Sequence, residues 1–178
     1  MRNIGFTLIE LMVAIVILSI LSAAGVNLFY RSLRGTSQLE LRKSLDDRSR
    51  LILSVVGRFV REGKVISLDW VTKESCATVG NQTGSTMVIQ ALDNVNSTIS
   101  ISNGQMSSVS ANGSIVINPD PSFTITTVDE TPFFTWYCSS GVSDRVLFNF
   151  RANSIGDSGE TTATKDYLTD MILRNTGQ

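Results

Sequence analysis

Gly5-Phe6-Thr7-Leu8-Ile9-Glu10-Leu11-Met12-Val13-Ala14-Ile15-Val16-Ile17-Leu18 is the stretch on which the fold turns. A short polar leader, residues 1–5, meets a long apolar segment at one glycine. No residue from 11 to 30 carries a charge, and those twenty residues would span about 30 Å as a helix, the thickness of a bilayer core. Within the otherwise uncharged run from 6 to 30 sits one carboxylate, Glu10. An ionisable group in such a segment costs about 2.5–3.5 kcal/mol at mid-membrane and less near an edge, so it marks a functional site by default. Three plainer readings compete. Glu10 could be a membrane-edge residue favoured by the helix N-terminal dipole. The segment could be a secretory signal peptide cut near Ser22-Ala23-Ala24, although a carboxylate inside the apolar region is unusual there. An unprocessed membrane anchor fits the same composition.

Gly-Phe-Thr-Leu-Ile-Glu followed by an unbroken apolar run resembles the class III leader junction of type IV pilins and type II secretion pseudopilins. The resemblance implies that a prepilin peptidase cuts between Gly5 and Phe6 and methylates the new Phe6 amine. Glu10 would then be the fifth residue of the mature chain, where the family keeps its glutamate, and would serve as the assembly charge. The likeness is close over about the first twenty-five residues and general over the rest. It implies a structural subunit, not an enzyme, with no cofactor. Its partners would be other pilin or pseudopilin subunits, the prepilin peptidase, the cytoplasmic membrane before assembly, and an assembly platform with its ATPase.

The chain has 178 residues and a formal net charge of −1, so no general attraction to nucleic acid or anionic membranes follows. Nine of its 15 basic residues fall between Arg31 and Lys64, and the later part is rich in Ser, Thr, Asn and Gly. There is no histidine, which removes the commonest general base and metal ligand. The two cysteines, Cys76 and Cys138, form no Cys-x-x-Cys pair. In an exported domain they would pair as a disulfide, the alternative being two buried thiols. Asp157-Ser158-Gly159-Glu160 lacks the spacing of an EF-hand and offers too few carboxylates for calcium, so no metal is expected.

Helical periodicity continues past Arg31. Leu41, Leu45, Ile52, Val56 and Phe59 form one apolar stripe, with Arg42, Lys43, Asp46, Asp47, Arg50, Arg58 and Arg61 on the other face. Asp46 is placed to pair with Arg50 at i,i+4. The basic run is thus a solvated helix face, and no specific nucleic-acid site is predicted. One helix from about 6 to 62 is expected, with Gly63 as a stop that tolerates the left-handed conformation. Gly25 and Asn27 are where a bend or local melting is expected. Many major pilins carry a proline at the place of Asn27, and its absence argues for a minor pilin or pseudopilin.

After Gly63 the pattern turns to strands. Residues 65–71 lead to a loop holding Cys76, then a turn at 80–84 and a strand at 86–92. Residues 98–102 and 105–110 flank Asn103-Gly104, a type I′ turn signal. Asn112-Gly113 leads to a strand at 114–117, closed by Pro119 and Pro121. Further strands are expected at 123–128, 133–138 and 145–150, a loop at 153–164, and a last strand or short helix at 167–174. The ending Leu173-Arg174-Asn175 is similar to the last strand of W-type minor pilins and J-type pseudopilins.

The expected class is α+β and pilin-like: a long N-terminal helix whose amphipathic half packs on a mainly antiparallel sheet. The expected parts are a leader at 1–5, a transmembrane and filament-core half at 6–30, an amphipathic half at 31–63 and a β-rich domain at 64–178. The leading functional reading is a minor pilin or pseudopilin. A major pilin, or a membrane-anchored or secreted adhesion module, is the alternative. The protein would cross the cytoplasmic membrane once with its C-terminal domain outside and then enter a periplasmic or extracellular filament. Arg2 before the span and Arg31 and Arg34 after it favour the opposite orientation by charge alone. The leader junction, cut on the cytoplasmic side in the family, opposes that.

Overall fold

The computed structural model of the chain describes residues 7–138, 143–156 and 162–173, with the side chains at 33 and 34 outside the description. Its first element is helix α1, Leu8–Glu62. The chain divides into two compact units, Met1–Glu40 and Leu41–Gln178.

In the first unit α1 is helical through Gly25 and Asn27, so the expected local melting does not occur. Asn27, unlike a proline, keeps its backbone N–H for the helix, and its side-chain amide donates to the Ala23 carbonyl at 3.2 Å.

In the second unit the apolar face of α1 carries the core. Leu45, Ser49, Ile52, Val56 and Val60 are buried at spacings of four, three, four and four, while Leu41 and Phe59 flank them half-buried. Val60 and Ser49 were absent from the sequence-derived stripe: Val60 adjoins the more conspicuous Phe59, and Ser49 is polar. Gly63 ends the helix without a left-handed backbone. Its role is close approach, because a Cβ there would collide with Ile89 of a neighbouring strand.

The strands form two antiparallel sheets instead of one. The first runs β2-β1-β4-β5-β6-β7, with β1 Lys64–Leu68, β2 Val71–Thr72, β4 Thr86–Gln90, β5 Asn96–Ser102, β6 Gln105–Ser110 and β7 Gly113–Val116. The second runs β11-β10-β9-β3, with β3 Asn81–Gly84, β9 Phe134–Tyr137, β10 Arg145–Ile155 and β11 Thr162–Ile172, and β8 Phe123–Thr126 pairs with β10 beyond the end of β9. Asn103 and Gly104 both take positive φ between Ser102 and Gln105, which are paired, as a type I′ hairpin requires. Buried Asn118 ties that hairpin tip to β8, accepting from the Met106 N–H and donating to the Gly104 carbonyl at 3.0 Å. Val146, Phe148, Phe150 and Ala152 alternate inward along β10. Phe134, Phe148, Phe150 and Tyr167 stack in sequence with ring centroids 4.8, 4.8 and 5.3 Å apart.

Three local expectations are corrected. The segment around Cys76 is helix α2, Lys73–Val79, not loop, and Gly80 caps it in the left-handed region. Residues 81–84 are not a turn but strand β3, held by pairing to β9, whose residues lie 50 to 56 positions further along the chain. The expected loop at 153–164 is strand as far as Ile155 and again from Thr162, with Thr164 donating to Asn153 across the ladder at 3.1 Å. The residues flanking residue 167 are therefore strand, and the short-helix alternative falls. Residues 157–160, weighed for calcium, and Arg174-Asn175 lie outside the described residues.

Between β1 and β2 the chain turns at Asp69 and Trp70, with φ of 44° and 72°. A non-glycine residue in this region costs about 1–2 kcal/mol. The turn is held by the Asp69 carboxylate, which accepts from the backbone N–H groups of Ser85 and Thr86 at 3.0 and 2.8 Å.

Polar contacts latch α1 to the strands. Asp46, read as a partner for Arg50, accepts hydrogen bonds from Lys165 at 2.8 Å and from the Tyr167 hydroxyl on β11, and Arg50 adds a weaker charge attraction. Arg48 pairs with Asp120 in the connection before β8. The Lys165 bond, with that of Tyr167, holds the Asp46 carboxyl below its ordinary range. The bond to Asp46 raises Lys165, and burial followed by the same bond raises Tyr167. Asp46 therefore contributes stability that is present above its unfolded value of about 4 and lost as pH falls through the lower folded value. Lys165 and Tyr167 contribute stability present below about pH 10 and lost as pH rises through their higher folded values. Asp46→Asn should flatten the acid limb of a stability–pH profile, and Tyr167→Phe should cost about 1 kcal/mol at neutral pH in denaturant unfolding. Unchanged profiles would show that the latch is ornamental.

Cys76 on α2 and Cys138 after β9 form a disulfide with Cα atoms 5.9 Å apart and a sequence separation of 62. Both residues are fully buried. Closing such a loop stabilises by about 4 kcal/mol in the chain-entropy account. Replacing both cysteines by serine should shift the guanidinium midpoint of the purified full-length chain accordingly, and a shift worth less than about 1 kcal/mol would contradict that account.

Candidate assembly segment

Helix α1 starts immediately after Thr7. The Thr7 carbonyl accepts from the Glu10 and Leu11 N–H groups at 3.1 and 3.3 Å, which closes the first turn. The Thr7 hydroxyl lies 3.5 Å from Glu10 Oε2, a weak contact. Thr7-Leu8-Ile9-Glu10 has the Ser/Thr-x-x-Glu pattern of a helix start, a signal legible in the sequence. Glu10 also sits where the helix dipole favours negative charge. Gly5 and Phe6, the expected cleavage residues, lie outside the described residues.

From Leu8 to Tyr30 the large apolar side chains are exposed around the whole helix. The most apolar window of α1 has mean hydropathy 2.4, none of it is buried, and the helix is long enough to cross a membrane. A helix apolar on every face is a surface only for lipid or for other apolar helices. Its polar residues are arranged for such surroundings. Ser19 donates to the Ile15 carbonyl at 2.8 Å, and Asn27 to Ala23 at 3.2 Å, so both fold back on their own backbone. Glu10 differs from them, since among the described residues its charge has only the Thr7 hydroxyl, at 3.5 Å, as a side-chain partner. Cys76 and Cys138 sit in the other unit as a structural clamp.

Residues 1–26 match the prokaryotic N-terminal methylation motif. Comparison with curated proteins and with solved structures gave no match. The motif and the apolar helix fit a membrane-anchored, single-pass protein with a C-terminal domain. Over residues 1–26 the chain is thus similar to the type IV pilins and pseudopilins, a structural and non-enzymatic kind of protein, and the motif suggests assembly with other such subunits.

Proposed function

We propose that the chain is a minor pilin or pseudopilin, matured by a prepilin peptidase that cuts after Gly5 and methylates the Phe6 amine. The observation that carries this reading is the match over residues 1–26 leading into a helix whose described residues bury no apolar face before residue 41. The minor assignment rests on Asn27, which stands where many major pilins have proline and which keeps the helix unbroken. The parts remain those read from the sequence, a leader at 1–5, a membrane and filament-core half at 6–30, an amphipathic half at 31–63 and a β-rich domain at 64–178. The protein waits in the cytoplasmic membrane with its C-terminal domain outside until an assembly platform and its ATPase move it into a filament. There the apolar half of α1 exchanges lipid for neighbouring helices.

In this assembly Glu10 meets the Phe6 amine of a neighbouring subunit. Both charges leave water, where an unpaired charge costs several kcal/mol, and pairing lowers that cost. The pair also sets axial register, because any other stagger leaves both unmatched.

Two measurements test the reading. Mass spectrometry of the native chain should find N-methylated Phe6 at the terminus. A terminus at Met1 or Gly25 would end the proposal. Glu10→Gln should leave the second unit folded and cleavage largely intact while lowering entry into sheared filaments by at least about tenfold, the loss expected for removing one partner of a buried charge pair. Wild-type incorporation of processed Glu10→Gln protein would reduce Glu10 to a membrane-edge residue.

A further inference from the structure

Strand β7 ends the first sheet on one side, and all four of its residues, Gly113–Val116, are exposed. An edge strand offers unpaired backbone N–H and C=O groups, which proteins ordinarily guard with charge, proline, a bulge or a covering element. The other three edges have such guards. β2 is two residues long, β3 has α2 beside it, and β11 carries Lys165, Asp166 and Asp170. β7 differs. No residue from 94 to 119 is charged, β7 holds no proline, and its register with β6 runs without a shift. Its exposure shows that nothing among the described residues covers it.

The pairing with β6 fixes which groups are free. Ser107 faces Val116, so Met106 faces Ile117, and the Ile117 N–H donates to the Met106 carbonyl at 2.8 Å. Backbone polar groups alternate sides along a strand. Ile117, Ile115 and Gly113 therefore turn theirs toward β6, while Ser114 and Val116 turn theirs outward. Among the described residues no hydrogen bond reaches these outward groups.

We propose that β7 pairs antiparallel with β7 of a second copy, about a two-fold axis through Ile115. The strand itself dictates the register. Centring on Ile115 sets Ser114 of each copy against Val116 of the other. Both are outward-turned residues, so each of the two pairs exchanges both of its N–H···O=C bonds. Between them the two Ile115 residues, 70% exposed in one copy, meet as a non-hydrogen-bonded pair with Cα atoms about 4.5 Å apart, where side chains come closest. Centring on Ser114 or on Val116 would instead set one of those two against a residue outside the strand. An extended segment of another protein could satisfy the same backbone groups, and what selects a second copy is this self-complementarity. Like charges facing each other across the axis would oppose the pairing, and β7 has none. The contact is isologous, so it closes at two copies and joins their first sheets into one. A pairing this short is weak between free chains. Copies anchored by α1 in one membrane meet at a raised effective concentration. The inference goes beyond the subunit reading and does not rest on it.

The test uses the full-length chain in its membrane. The two natural cysteines are joined and buried, so one added cysteine is the only free thiol. Under mild oxidation Ile115→Cys should give a reducible product of twice the chain mass. Its yield should exceed that of Ser114→Cys or Val116→Cys at least about tenfold, because those positions stand two residues out of register with their own copies, beyond disulfide reach. Adding Val116→Pro to Ile115→Cys removes an outward N–H and leaves the β6 ladder whole. The product should then fall about tenfold, with the thermal midpoint near that of Ile115→Cys alone. Where the proline variant melts early, the three cysteine yields decide alone. No product, equal yields at all three positions, or a yield unmoved by proline in a folded chain overturns the pairing. A product joined to another protein overturns the second copy as occupant. The subunit reading is decided separately, by the native terminus at Phe6.

Discussion

A helix that is apolar around its full circumference has to be taken out of water by something other than its own flanking residues, and that constraint governs the first unit. Leu8 through Tyr30 offer no polar face, so their solvent is lipid or other helices. Those two surroundings are about equally apolar, and moving between them yields no hydrophobic driving force. Tight packing and the few polar groups must then decide where such a helix rests and in what register.

The same helix changes duty within one unbroken element. Beyond residue 40 its sequence acquires a polar face, and the apolar stripe from Leu45 to Val60 closes over two sheets. That stripe alone would not fix the rotation of the helix on a smooth apolar floor. Asp46 with Lys165 and Tyr167, and Arg48 with Asp120, pin one turn of the helix to β11 and to the connection before β8, both distant in sequence. Each exposed ion pair stabilises little, but the Asp46 site joins a charged donor to a half-buried hydroxyl and so specifies geometry. At the far side the Cys76–Cys138 disulfide fastens α2, a helix too short to stand alone, to the end of β9.

The parts legible in the sequence were those whose cause is local. The 3.6-residue period of Leu45, Ile52 and Val56 and the Asn103-Gly104 turn each follow from residues within a few positions of one another. What escaped has distant causes. Residues 81–84 look like a turn because Asn and Gly disfavour strands and Thr83 alone favours one, and they become strand by pairing with β9. The ends of β10 and β11 read as loop because their paired side chains are polar, and a full ladder between them carries the extension. The division into two sheets depends on which strands meet, a matter of loop closure and burial that composition does not encode. Of the assembly segment, the apolar run, its carboxylate and the Thr7-x-x-Glu10 start signal are all legible in the sequence, and the hydrogen bonds of the Thr7 carbonyl fix where the first turn closes.

An exchange of lipid for protein can be directed only by groups whose free energy differs between the two. In the apolar half of α1, the alkyl side chains differ little. Ser19 and Asn27 differ little as well, because their hydrogen bonds return to their own backbone and travel with the helix. A carboxylate cannot be satisfied in that way. Its first-turn position gives Glu10 the partial charge of the helix end, and Thr7 gives it one weak hydroxyl contact, which together leave most of its desolvation uncompensated. In the proposed subunit Glu10 is therefore the group among the described residues of this segment that can distinguish a correctly staggered neighbour from lipid. The apolar surface makes the helix indifferent between its two solvents, and in the proposed assembly that indifference leaves the decision to one ion pair.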